Sequence, residues 1–113
     1  MTTVTLSVSS TEQAKQRIAA AFRGEMQGSF ISFASIETLW RVLTLKRWQI
    51  LQAMTAQGPL SIREVARRVD RDVKSVHSDI TALVAAGVVE QTNQGVEFPY
   101  DAVHVDFTLS KAA

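Results

Sequence analysis

The sequence predicts a mainly α fold with a small β-sheet, on three observations. Apolar residues recur at helical spacing through the middle of the chain, and most of these segments open on a capping residue. Two of them, between Pro59 and Gly87, lie on either side of a tight turn. Strict period-two alternation is confined to the two ends of the chain, with a short strand-like pair after Gly87.

Taken in order, Thr2–Ser9 sets Val4, Leu6 and Val8 against Thr3, Thr5, Ser7 and Ser9, the pattern of a half-buried strand. Ser9 or Ser10 can cap a helix over Thr11–Arg23, with Glu12 or Gln13 as the reciprocal member of a capping box. Its apolar stripe (Ala14, Ile18, Ala21, Phe22) is narrow and suits packing against its own domain, a second copy or another protein. Glu25–Ser29 is a polar connector, and Phe30–Phe33 is too short to assign. Ser35 caps Ile36–Leu43, with Glu37 in the first turn and Leu39, Trp40 and Leu43 as the expected buried face. Thr44 caps Leu45–Gln57, whose stripe of Trp48, Leu51 and Met54 is widened by Leu45 and Ile50. Gly58-Pro59 stops that helix.

Ser61 and Glu64 form a capping box for Ile62–Val69, with Ile62, Val65, Ala66 and Val69 inward. The small Ala66 lets a neighbouring helix approach closely. Asp70 occupies the turn, where aspartate tolerates positive φ better than most residues. Asp72 caps a second helix that buries Val76, Ile80, Leu83 and Val84 and ends at Gly87 in the C′ position. Val88–Thr92 and Val96–Phe98 read as a hairpin about Asn93-Gln94-Gly95. After Pro99–Asp101, Val103, Val105, Phe107 and Leu109 alternate with His104, Asp106 and Thr108; this strand is expected to pair with the N-terminal one, within a chain or between copies. Two helices, a tight turn and a hairpin predict a winged helix-turn-helix over residues 30–113. A strand and helix form an N-terminal extension over residues 1–29, available for dimer or partner contact.

A formal net charge of +1 gives no hint of a polyanion partner, but the charges are unevenly placed. From Lys46 to Ser78 seven bases face three acids, +4, which leaves −3 for the rest of the chain. Solvated helix faces would account for the charges equally well. With the apolar stripe inward, Lys74, Ser75, His77 and Ser78 project from the start of the second helix, where a recognition helix meets base edges. Val73 can touch a thymine methyl or extend the core. Arg67, Arg68 and Arg71 suit phosphates, and so do Lys46 and Arg47, which sit in a first helical turn where the dipole disfavours cations. The hairpin tip offers the neutral Asn93 and Gln94, flanked by Glu90 and Glu97.

His77 has no histidine or cysteine near it in sequence, so no metal site is expected. Cysteine is absent altogether, which excludes disulfides and thiolate sites and fits a reducing cytoplasm. No Gly-x-Ser-x-Gly elbow or phosphate loop occurs, so neither catalysis nor a cofactor is expected. No apolar run of about 18 residues suggests a membrane span.

The runs FASIETLWRVLTLKRWQILQAM and GPLSIREVARRVDRDVKSVHSDITALVAAGVVE, with the ending VEFPYDAVHVDF, resemble a family of small prokaryotic winged-helix regulators related to the MarR-like group. That family is associated with toxin–antitoxin modules as the antitoxin. The resemblance covers residues 30 to 109; Leu45 stands where proline is expected, and Asp70 where glycine is. It implies a DNA-binding regulator that binds and neutralises a toxin encoded beside it; the leading expectation is a homodimer that reads a roughly palindromic double-stranded DNA operator and represses its own operon. The alternative is an interaction module that mainly sequesters the toxin, with weak or no specific DNA binding.

Overall fold

The computed structural model describes residues 2–8, 15, 16, 19 and 29–107. The alternation at the N-terminus forms β1 (Thr3–Val8), and the unassigned Phe30–Phe33 segment forms β2 (Ser29–Phe33). The C-terminal alternation forms β5 (Ala102–Asp106). These three strands make a parallel sheet in the order β2-β1-β5. The terminal strands therefore pair within one chain, Val4 beside Val103 and Leu6 beside Val105. On the sheet's apolar face, Val4, Leu6 and Phe33 are buried, and Ile31, Val103 and Val105 are half-buried against the same core. Thr2 and Asp101 fasten the edge of the sheet. The Thr2 N–H donates to Asp101 Oδ2 at 2.9 Å, and the Asp101 and Ala102 N–H groups donate to the Thr2 carbonyl.

Four helices follow β2 among the described residues: α1 (Ile36–Val42), α2 (Leu45–Met54), α3 (Ile62–Val69) and α4 (Val73–Ala85). All four expected caps are made. The N–H groups of Thr38, Arg47, Glu64 and Ser75 donate to the side chains of Ser35, Thr44, Ser61 and Asp72 respectively. At the other end of α4, Gly87 takes φ 79°. Its N–H donates to the Val84 carbonyl and the Val88 N–H to the Leu83 carbonyl, the paired bonds of a Schellman motif. Between α3 and α4, Asp70 adopts the left-handed conformation (φ 55°, ψ 52°), the role anticipated for it in the turn.

Several expectations are corrected. Helix α2 stops at Met54 rather than Gln57, because Thr55 bridges to Phe98 and the Ala56 N–H donates to the Tyr100 carbonyl. Trp40 and Leu45, expected in the core, are 54% and 72% exposed, while Leu39, Leu43, Leu51 and Met54 are buried. Val88 and Val89 belong to the helix cap, both N–H groups donating to the Leu83 carbonyl. The hairpin is accordingly shorter than expected, β3 (Glu90–Thr92) against β4 (Gly95–Glu97). Leu60 joins it through an antiparallel bridge to Val96. The helix expected over Thr11–Arg23 lies largely outside the described residues, of which Lys15, Gln16 and Ala19 are helical. Leu109 also lies outside them. The architecture is mixed α/β, with strands gathered into two sheets where one was expected. The strand assigned to an N-terminal extension is the middle strand of the larger sheet.

Candidate nucleic-acid interface

Helix α4 buries Val76, Ile80 and Leu83 and turns Val73, Lys74, His77, Ser78 and Thr81 to solvent. Recurrence of exposed residues at steps of one and four along the helix makes them a single stripe. Lys46, at the start of α2, faces the same side. Together with Arg71, Lys74, Ser75, Ser78 and Asp79 it lines a shallow depression of about 410 Å³. Five of the twelve residues picked out for nucleic acid are thus gathered around one concavity.

The arginines are held differently from what their sequence positions suggested. Arg47 does not project toward a ligand. Its Nε donates to Asp79 Oδ1 at 3.0 Å, and its Nη1 donates to the carbonyls of Val42 and Arg41 at the C-terminus of α1. A cation in the first turn of α2 is thereby reconciled with the helix dipole: its charge serves the negative end of the preceding helix. Arg71 donates through Nη2 to Asp79 Oδ2 at 2.8 Å, so one carboxylate joins α2, the turn and α4. Burial pushes the Asp79 carboxyl up, but hydrogen bonds from Arg71 and Arg47, with their charges, outweigh it and hold the group below its ordinary range.

Arg67 and Arg68 project from α3 and share Glu64. Arg67 Nε donates to Glu64 Oε1 at 2.9 Å, and its Nη2 to Oε2; Arg68 Nε donates to Oε2 at 2.8 Å. Hydrogen bonds from Arg67, then Arg68, lower the Glu64 carboxyl to about 2. Glu64 was expected to reach back to its own N-cap; here it supplies only the N–H half of the box. Arg68 also donates to Gln57 Oε1 at 2.6 Å. Asn93 and Gln94 are exposed at the hairpin tip and do not line the depression. Glu90 lies directly opposite Glu97 across the hairpin, so the two strands add negative charge behind that tip.

Asp79 is the residue that sequence reasoning missed. It falls one position beyond the basic window, and including it lowers the local balance from +4 to +3 (seven bases, four acids). Its one sequence signal is that it recurs three residues after Val76, on the flank of the buried stripe. Lys46 and Lys74, by contrast, make no described hydrogen bond or ion pair, and they carry the uncompensated charge of the depression.

No described helix is long and apolar enough to cross a membrane. The described residues hold no group of three or more His, Asp or Glu placed to bind a metal ion.

The fold and this surface define a small mixed α/β protein with an exposed helix face beside a basic depression. The sequence profile of the uncharacterised HVO_A0114 family matches residues 42–105, more than half of the chain, and the chain belongs to that family. The matched stretch runs from the last residue of α1 into β5 and so contains the whole depression. No curated protein and no solved structure matches the chain.

Proposed function

We propose that the chain is a sequence-specific DNA-binding regulator of winged helix-turn-helix type, acting as a homodimer, with α4 as its recognition helix. The observation that carries this reading is the exposed stripe of Val73, Lys74, His77 and Ser78 beside Lys46, in which Lys74 and Lys46 are cations with no hydrogen-bond or ion-pair partner among the described residues. The order of α2, α3, left-handed turn, α4 and hairpin, with Leu60 bridged to the hairpin, supports the winged-helix assignment. In this reading Lys74 and Ser78 meet base edges, while Lys46 contacts phosphate. Arg67 and Arg68 share one carboxylate and retain one net positive charge near the backbone.

The test is selection of bound sequences from a random duplex pool, followed by titration of the winning duplex and a scrambled one. Lys74→Ala is expected to cost about 1–3 kcal/mol on the selected duplex and much less on the scrambled one. Equal loss on both would make Lys74 a phosphate contact only; absence of any enriched sequence would remove the reading.

The resemblance to antitoxin regulators supports a second role, capture of a toxin encoded by a neighbouring gene. One observation favours this as the main role: Arg47, Arg67, Arg68 and Arg71 are all engaged by carboxylates of the chain itself, which weakens the case for strong phosphate binding. Removing the N-terminal strand cannot separate the two roles, since β1 is part of the core. A Lys46→Ala/Lys74→Ala variant can. If it loses DNA yet still neutralises the neighbouring gene product, sequestration stands independently of operator binding.

A further inference from the structure

The residues that departed most from expectation lie together. Trp40 and Leu45 are 54% and 72% exposed, and Phe107 is 37% exposed with its ring packed edge-on against Trp40 at 5.5 Å between centroids. With Leu43, Trp48 and Val105 they line an almost wholly apolar cleft of about 380 Å³. A second hollow of about 140 Å³, lined by Trp48, Leu51, Gln52, Thr55 and Val103, continues it. The two meet at Trp48 and both lie between α2 and β5, and together they form a mainly apolar channel. β5 is an edge strand, paired only with β1 among the described residues. Alternate backbone N–H and C=O groups of such a strand point outward, ready to pair with another strand.

We infer that β5 is the dimer seam: β5 of a second copy pairs antiparallel with it, extending the sheet across a two-fold axis and closing the apolar channel. A two-fold axis normal to the sheet keeps both apolar faces on the same side, so the two α2 helices face each other beneath the joined sheets. The pattern of β5 selects the register. Centred on Val105, the pairing sets Val105 against its own symmetry mate and Val103 against Phe107, all toward the channel. On the other face it sets His104 opposite Asp106 twice, an imidazole against a carboxylate. Centring on His104 or on Asp106 instead opposes like side chains, which cross-strand pairing disfavours. Both residues are exposed, and neither side chain has a described partner within the chain. Leu45 and Trp40, left exposed among the described residues, are covered by their counterparts.

This inference rests on the homodimer of the preceding section but not on its DNA contacts, and its test uses no DNA. Because the chain has no cysteine, single cysteines report the register directly. The full chain carrying Val105→Cys is expected to form a disulfide-linked dimer on mild oxidation, while Val103→Cys, displaced from the axis, stays largely uncrosslinked. Sedimentation should show the unmodified chain as a dimer, and Leu45→Glu should raise its dissociation constant roughly tenfold or more. The charge pair gives an independent check with little risk to folding: His104→Asp weakens the dimer, and adding Asp106→His restores it. A chain that sediments as a monomer overturns the inference, as does a dimer that cross-links equally through both cysteines or through neither. If the dimer forms as described but no duplex is enriched, the DNA-binding reading fails alone. If duplex binding survives without the cross-link, the seam fails alone.

Discussion

Asp79 decides how much positive charge the α4 surface offers. By engaging Arg47 and Arg71 it turns two candidate phosphate contacts into a brace between α2, the turn and α4. Because its carboxyl is held below the ordinary value in the folded chain, the stabilisation it gives is complete above the unfolded value near pH 4 and is lost as pH falls through the lower folded one. Glu64 acts in the same direction, between its ordinary 4.5 and about 2. Asp79→Asn should therefore lower stability at neutral pH by about 1–3 kcal/mol and flatten the acid limb, as urea unfolding at a series of pH values would show. The clamp was not legible in the sequence. Arg47 and Asp79 lie 32 positions apart, and no periodicity ties a cation on one helix to a carboxylate on another. Val73, Lys74, His77 and Ser78 were legible, since a helix that buries one stripe must expose the opposite one.

At the scale of elements, the caps were read correctly because each is local chemistry: a short oxygen-bearing side chain accepts from the N–H three residues on. What a helix packs against is not local, and Trp40 and Leu45 were misplaced for that reason. Both sit on apolar stripes that are wider than the single-chain core they meet. The left-handed Asp70 carries a conformational cost that glycine would avoid. Asp70→Gly is expected to leave the fold intact and stabilise it by up to about 1 kcal/mol in thermal unfolding. The hairpin is less forgiving. Gly95 has φ 137°, and a Cβ there would come within 2.4 Å of the Leu60 carbonyl oxygen. Gly95→Ala should destabilise by more than about 1 kcal/mol and detach the hairpin from Leu60, visible as faster amide exchange at Val96.

For the whole molecule, alternation marked both terminal strands and led to the expectation that they pair, which they do. It could not give their direction, since a period of two is the same in parallel and antiparallel pairing, nor the third strand, β2. The outcome, a parallel sheet with β1 in the middle, makes the N-terminal strand part of the core. Leu6 is fully buried there. Leu6→Ala should cost about 2–5 kcal/mol in chemical denaturation, the loss typical of a core leucine; a cost near zero would show that the N-terminal strand is dispensable.

The contact between Thr2 and Asp101 spans 99 positions of sequence, and β1 takes its second neighbour from the far end of the chain. During synthesis β1 therefore has β2, but not β5, to pair with among the described strands, and a two-stranded parallel pair has little stability of its own. The helices can assemble while β1 waits, and the three-stranded sheet closes only when β5 has emerged. Such non-local closure slows folding and leaves an unpaired, apolar strand exposed in the interval. The same strand order that buries Val4 and Leu6 in the folded molecule leaves them without their second neighbour until β5 has been made.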